Sequence, residues 1–182
     1  MSSPKTFVAL LRGINLAGRN RVSMPELRSA LESLGLEDVV TYIQSGNVVF
    51  RSRTGGAQKL AAAVEGAIAG RFGIDVVVIL RTPAELAKVA AGNPFLRGGA
   101  DPSKLHVVFL SGGPGKKASA QLDPARSPPD ELRLEGREIY LHTPNGFGRS
   151  KLTVDYFERR LGVDATVRNW RTVTKLVALT ES

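Results

Sequence analysis

The sequence predicts an α+β protein built from two tandem β-α-β-β-α-β units, and three observations predict it. Short apolar runs of strand length alternate with runs whose apolar residues recur at helical spacing, in that order and twice over. Each half holds two strand runs joined by a tight turn, which makes that pair antiparallel. A stretch broken by proline and glycine near Thr82–Asp101 separates the halves, and 182 residues suffice for two small domains.

The elements follow in order. Lys5 to Leu11 reads as a strand that is apolar on both faces. Ser23-Met24-Pro25-Glu26 reads as a capping box, with Leu27, Ala30, Leu31 and Leu34 at helical spacing behind it and Gly35 as the stop. Val39 to Gln44 and Val48 to Ser52 are strands joined by the turn Ser45-Gly46-Asn47. Leu60, Ala63, Val64, Ala67 and Ile68 mark a second helix closed by Gly73, and Val76 to Leu80 is the fourth strand. Thr82-Pro83 starts a short helix through Ala91, which Asn93-Pro94 and Gly98-Gly99 then break.

The pattern repeats. Leu105 to Leu110 is a strand, and the Gly/Pro-rich Ser111 to Asp130 holds at most one short helix. Glu131 to Leu134 and Glu138 to His142 form a hairpin across Glu135-Gly136-Arg137. Lys151 to Leu161 is a helix stopped by Gly162, Thr166 to Arg168 a short strand, and Val173 to Leu179 a closing helix. The expected division is residues 1–82, a linker with a short helix over 83–101, and residues 102–182 with an extra C-terminal helix. Helices gather on one face of each antiparallel sheet in such a layout, and the two units are expected to pack together.

Composition narrows the function. With no cysteine, disulfides, thiolate nucleophiles, zinc ribbons and iron–sulfur ligation are excluded. Two histidines and no cysteine predict no transition-metal site, while carboxylate-bound magnesium stays open. The residues name no cofactor. The net charge of +8 points to an anionic partner such as nucleic acid, a nucleotide or a phosphorylated metabolite. A composition rich in Ala, Gly and Arg accounts for the same charge without a partner, and the basic residues are scattered. No apolar run has the length to span a bilayer, and MSSPKTFVALL lacks the layout of a signal peptide. A cytoplasmic protein without membrane partners is expected.

Six segments occur in order along the chain: RGIN at Arg12–Asn15, TYIQSGNVVF at Thr41–Phe50, NPF at Asn93–Phe95, LHVVFL at Leu105–Leu110, GFGRSK at Gly146–Lys151 and ATVRNWRTV at Ala165–Val173. With these the chain resembles the bacterial domain-of-unknown-function family 1697, over nearly its whole length. The resemblance implies tandem ferredoxin-like units and implies no activity.

The ferredoxin-like strand order, 4-1-3-2, predicts where polar motifs meet. In the first unit the loop Arg12 to Asn20 and the turn Ser45 to Asn47 lie at one end of neighbouring strands, about 4.8 Å apart. Arg12, Asn15, Ser45 and Asn47 are therefore expected to converge, as one wall of a ligand site. In the second unit the opposite end gathers His106, His142, Gly148, Ser150, Lys151, Arg168, Asn169 and Trp170. There a Gly-rich loop feeds a helix capped by Ser150, Lys151 and Arg168 add charge, and Trp170 offers a ring for stacking. That combination reads as an anion site. The competing structural reading is local: Ser150 caps, the glycines turn and Trp170 packs under the last helix.

Other templates fail or compete. Gly112 to Lys117, GGPGKK, has Leu110 and Lys117 where a P-loop needs glycine and Ser or Thr, and Gly146 to Lys151 fails likewise. His106 and His142, on neighbouring strands, are the acid–base candidates of an enzyme reading, with Lys151 and Arg168 as electrostatic support. An RNA-binding sheet needs exposed aromatics on its central strands, and the first unit offers only Phe7 and Phe50. Strands apolar on both faces want both faces covered, by the other unit or by a second chain, so a homodimer is one expectation. The functional expectation is binding of a small anionic ligand, phosphorylated or nucleotide-like, at the loop clusters. A histidine-based enzyme and a charge-driven nucleic-acid binder are the alternatives.

Overall fold

The computed structural model describes residues 2–182. In the first sheet β1 (Lys5–Leu11), α1 (Met24–Ser33), β2 (Glu37–Tyr42), β3 (Asn47–Ser52), α2 (Ala57–Phe72) and β4 (Val78–Arg81) follow in the predicted order. The spatial order is β2-β3-β1-β4, every neighbour antiparallel, as the ferredoxin-like reading requires. Leu27 and Leu31 of α1 and Leu60, Val64 and Ile68 of α2 share one core with Phe7, Ala9, Leu11, Val48, Phe50 and Leu80. Burying each of these aliphatic side chains stabilises the fold by about 1.5–3 kcal/mol. The alternate residues Val8, Leu10, Val49 and Ile79 point away from the helices and are buried too, which is why these strands read as continuous apolar runs. Phe7 and Phe50, stacked with centroids 6.1 Å apart, lie on the helix side in the core. They are no exposed platform for bases.

Several boundaries differ from the sequence reading, each for a local reason. Ser23 Oγ accepts from the Glu26 N–H at 3.4 Å, but the Glu26 carboxylate pairs with Arg71 of α2 instead of closing the capping box. Asn47 is the first residue of β3 and fully buried, so the turn spans Ile43 to Gly46. β4 starts at Val78, two residues late, where the Val78 N–H donates to the Glu65 carboxylate at 2.9 Å. The segment expected as a linker holds two helices, α3 (Pro83–Ala91) and α4 (Pro94–Arg97). Thr82 and Glu85 form a complete capping box at the start of α3: Thr82 N–H donates to Glu85 Oε2 at 2.8 Å, and Glu85 N–H to Thr82 Oγ1 at 3.2 Å.

The second sheet repeats the topology with β5 (Leu105–Leu110), α5 (Lys116–Ser119), β6 (Glu131–Glu135), β7 (Glu138–His142), α6 (Val154–Leu161), β8 (Ala165–Asn169) and α7 (Trp170–Glu181). Its order is β6-β7-β5-β8, again antiparallel throughout. α5 has only four residues where the first sheet has α1. The Gly/Pro-rich strap around it is tied down instead. Arg126 lies over the Tyr156 ring at 4.1 Å and donates through Nε to the Lys151 carbonyl, and Ser127 Oγ accepts the Lys151 N–H at 3.0 Å.

α6 corrects the helix predicted from Lys151. It begins at Val154, and Thr153, not Ser150, caps it, accepting from the Tyr156 N–H at 3.2 Å. Leu152 is buried in the core, and Ser150 and Thr153 on either side of it have extended backbone, so the helix starts only beyond Thr153. α7 likewise starts earlier than predicted, at Trp170, with Asn169 Oδ1 accepting from the Thr172 N–H at 2.8 Å. By compactness the chain divides into one unit running to Leu86 and including Leu176–Ser182, and another spanning Ala87–Lys175.

Candidate functional site

The first candidate site grows from the end of β1. Beyond Leu11 the chain must turn back into α1 within twelve residues, and it does so through a run of left-handed backbone. Gly13, Asn15, Ala17, Gly18 and Asn20 all have positive φ, and across from them so do Ile43 and Gly46. For Ala17 and the β-branched Ile43 this conformation costs roughly 1–2 kcal/mol each, while asparagine tolerates it better.

Asn15 is the staple that offsets this cost. Its Nδ2 donates to the Val22 carbonyl at 3.0 Å and to the Gln44 carbonyl at 2.8 Å, and its Oδ1 accepts the Val22 N–H at 2.8 Å. One side chain thus closes the loop and fixes it to the hairpin 29 residues away. Asn20 Nδ2 adds a bond to the Gly13 carbonyl at 3.0 Å. On the hairpin, Asn47 Nδ2 donates to the Tyr42 carbonyl at 2.9 Å and to Ser45 Oγ at 3.1 Å. Gly46 is required there: a Cβ would stand 2.6 Å from Ile14 Cδ1 and 2.8 Å from Leu11 Cβ.

The structure therefore brings the Arg12–Asn15 loop and the Ser45–Asn47 segment together, as strand order predicted. Asn15 and Asn47 serve as the struts. What the loop presents outward is Arg19 and Arg21, exposed, beside half-buried Arg12. The N–H groups of Ala17, Gly18 and Asn20 enter no hydrogen bond among the described residues. No carboxylate precedes Glu26 in the chain, and none lies between Asp38 and Glu65. Arg19, Arg21 and Gln44 were missed by motif reading; this acid-free spacing was the signal that marks them.

The second cluster does not assemble as predicted. His142 pairs with Leu105, and His106 with Leu141, so the two histidines point to opposite faces of the sheet. His106 lies on the helix side, stacked on Phe147 at 4.8 Å, its Nδ1 buried without a partner among the described residues, and burial holds its pKa below the usual 6.5. His142 lies on the other side, against Phe95 at 5.7 Å, with Nδ1 3.4 Å from Glu131. Tyr140 shares that side and donates to the Val89 carbonyl at 3.0 Å; desolvation, then Glu135 and Glu138, push its pKa up to about 12.

Arg168 pairs with Val107 and so shares the face of His142. It is buried, and Nη1 donates to Thr166 Oγ1 at 2.7 Å and to the Val167 carbonyl at 2.8 Å. Burial pushes its pKa down to about 10. Arg81 occupies the matching place in the first sheet, opposite Val8, also buried and donating to the Leu80 carbonyl at 2.9 Å. Asn169 caps α7, and Trp170, 6% exposed, opens that helix with no ring face free for stacking. Gly148 sits in a 3-10 turn over Phe147–Arg149, and Ser150 Oγ accepts the Leu152 N–H at 3.0 Å. Lys151 alone of this group extends a charged side chain into solvent, with its backbone held by Arg126 and Ser127.

No group of three or more His, Asp or Glu side chains placed to hold a metal occurs among the described residues. No helix there is long and apolar enough to cross a membrane.

Comparison with known proteins agrees with this architecture. A family model described as a protein of unknown function, DUF1697, matches residues 5–140. No curated protein matches the chain. Among solved structures, a conserved bacterial protein, SP0830 from Streptococcus pneumoniae, superposes with a TM-score of 0.78 at 24% identity, covering 99% of this chain and 100% of that one. At that identity the likeness is one of fold.

Proposed function

The chain belongs to the DUF1697 family of proteins of unknown function, a membership that supplies a fold and no activity, and from its own geometry we propose that it binds a small anionic ligand, phosphorylated or nucleotide-like, at the loop cluster of the first sheet. The observation that carries this reading is the Asn15 staple. It fixes a strained loop against the hairpin while Arg19 and Arg21 stay exposed and the flanking segments hold no carboxylate. Backbone strain of this kind persists where surrounding bonds over-determine it, and it gathers at ligand clamps. A left-handed loop also aims successive N–H groups outward, which suits an anion. Arg19 and Arg21 supply charge and forked donors matched to phosphate oxygens.

The second cluster supports this function less well, since Arg168 and Asn169 are engaged locally and stand on opposite faces of the sheet. The histidine enzyme reading finds no shared face for His106 and His142.

The test is a thermal-shift screen of the full chain against inorganic phosphate, pyrophosphate and nucleotides at low and high salt. A ligand at about 100 times its dissociation constant stabilises by roughly 2.7 kcal/mol. The expected result is a rise in melting temperature with at least one of these anions, lost in the Arg19→Ala, Arg21→Ala double variant. A rise that the double variant retains in full overturns the proposal. So does a flat panel.

A further inference from the structure

A groove of about 440 Å³ opens between α1 and β2, lined by Met24, Pro25, Arg28, Ser29, Glu32 and Thr41. Thr41 stands opposite Val48 of the core, so it faces the helices. The groove adjoins the Asn15 loop. Arg21 precedes Met24 by three residues, a span of at most about 11 Å, and Asn15 holds the intervening Val22 through both its backbone groups. On the other wall, Thr41 shortly precedes the Ile43–Gly46 turn, whose Gln44 carbonyl Asn15 also holds. The groove therefore begins where the loop with Arg19 and Arg21 ends.

Its lining suits hydroxyl groups. Ser29 Oγ and Thr41 Oγ1 enter no hydrogen bond among the described residues. Arg28 Nε donates to Glu32 Oε1 at 3.0 Å, which leaves both Nη groups and Glu32 Oε2 without a partner among the described residues. None of the lining residues is aromatic, so the groove gives a flat ring no face to stack on. The groove along α2 differs: its charged lining is Glu65 and Asp75, both acidic, and Glu65 already holds the Val78 N–H. A polyol gives up many bonds to water when it binds, so its site needs several donors and acceptors close together. A carboxylate and a guanidinium make the stronger of those bonds. On the reading that the loop binds an anion, we propose that this anion is a sugar phosphate. Its phosphate lies on Arg19 and Arg21, and its hydroxyl-bearing body lies in the α1–β2 groove on Arg28, Ser29, Glu32 and Thr41.

The experiment is a titration of the full chain with inorganic phosphate, phenyl phosphate and glucose 6-phosphate, followed by calorimetry and by amide chemical shifts. Glucose 6-phosphate is expected to bind about tenfold more tightly than the other two, the gain of one or two added hydrogen bonds. The Ser29→Ala, Thr41→Val double variant narrows that gap. With glucose 6-phosphate the shifts extend from the loop into Met24–Glu32, and with inorganic phosphate they stop at Val22. Equal affinity for the three anions overturns the proposal, as does a gap that the double variant keeps in full, or a glucose 6-phosphate pattern confined to the loop. If inorganic phosphate binds and the sugar adds nothing, the loop still holds an anion and only the sugar assignment falls. If none of the three binds, both fall. The shifts use the unaltered chain, so they decide even if the double variant fails to fold.

Discussion

The two sheets share one topology and one buried arginine at matching places, yet their polar ends are built by different means. In the first, the loop after β1 and the β2–β3 turn are locked to each other by Asn15, through backbone that is left-handed at Asn15, Ala17, Asn20 and Ile43. In the second, β6 and β7 join through the two-residue turn Gly136-Arg137, with positive φ only at Gly136, and the loop before α6 settles into ordinary caps. The first arrangement stores strain and leaves arginines unburied; the second spends its polar groups on its own backbone. A Gly-rich run next to a helix can be used up in local turns and caps, whereas strain held by a long-range side-chain bond keeps polar groups turned outward.

The two ends should differ most at their turn glycines. Gly46→Ala is expected to destabilise the chain by about 3 kcal/mol or more, since its Cβ meets Ile14 and Leu11 at φ +87. Gly136→Ala has nothing within 4 Å at φ +60 and should cost only about 1 kcal/mol. Denaturant unfolding measures both, and equal losses would remove the distinction. Next in size is Asn15→Ala, which removes three hydrogen bonds at once and should cost about 2–3 kcal/mol. Asn15→Gly restores the backbone freedom but not the bonds, so it should recover only a small part of that loss.

Stability of the second sheet should also depend on pH. His106 has a folded pKa below its unfolded value of 6.5. The unfolded chain therefore takes up this proton first. Stability from this group is complete above pH 6.5 and drains as pH falls below it. His106→Phe should flatten that part of the profile in thermal melts. The smallest expected effect is at the caps. Thr153→Ala should cost about 1 kcal/mol as the true helix cap, and Ser150→Ala less.

The sequence carried the element order, the strand order and the convergence of the Arg12 loop with the Ser45 turn. Periodicity and strand adjacency are local or topological, and both survive into the fold. What it could not carry was register and side-chain direction. Which face His106 and His142 occupy depends on a one-residue choice of pairing between β5 and β7. Arg168 reads as a surface cation at a strand end, and only its placement opposite Val107 shows it buried. Ser150 and Thr153 both qualify as caps by type, and the buried Leu152 between them decides which one the helix uses.

On this proposal the first polar end, and not the second, binds the anion. A titration of isotopically labelled full-length protein with pyrophosphate, followed by amide chemical shifts, tests it. Saturable shifts are expected in Gly13–Val22 and Ile43–Gly46, with Gly146–Lys151 unmoved. Shifts concentrated in Gly146–Lys151, or none in the Asn15 loop, would contradict it.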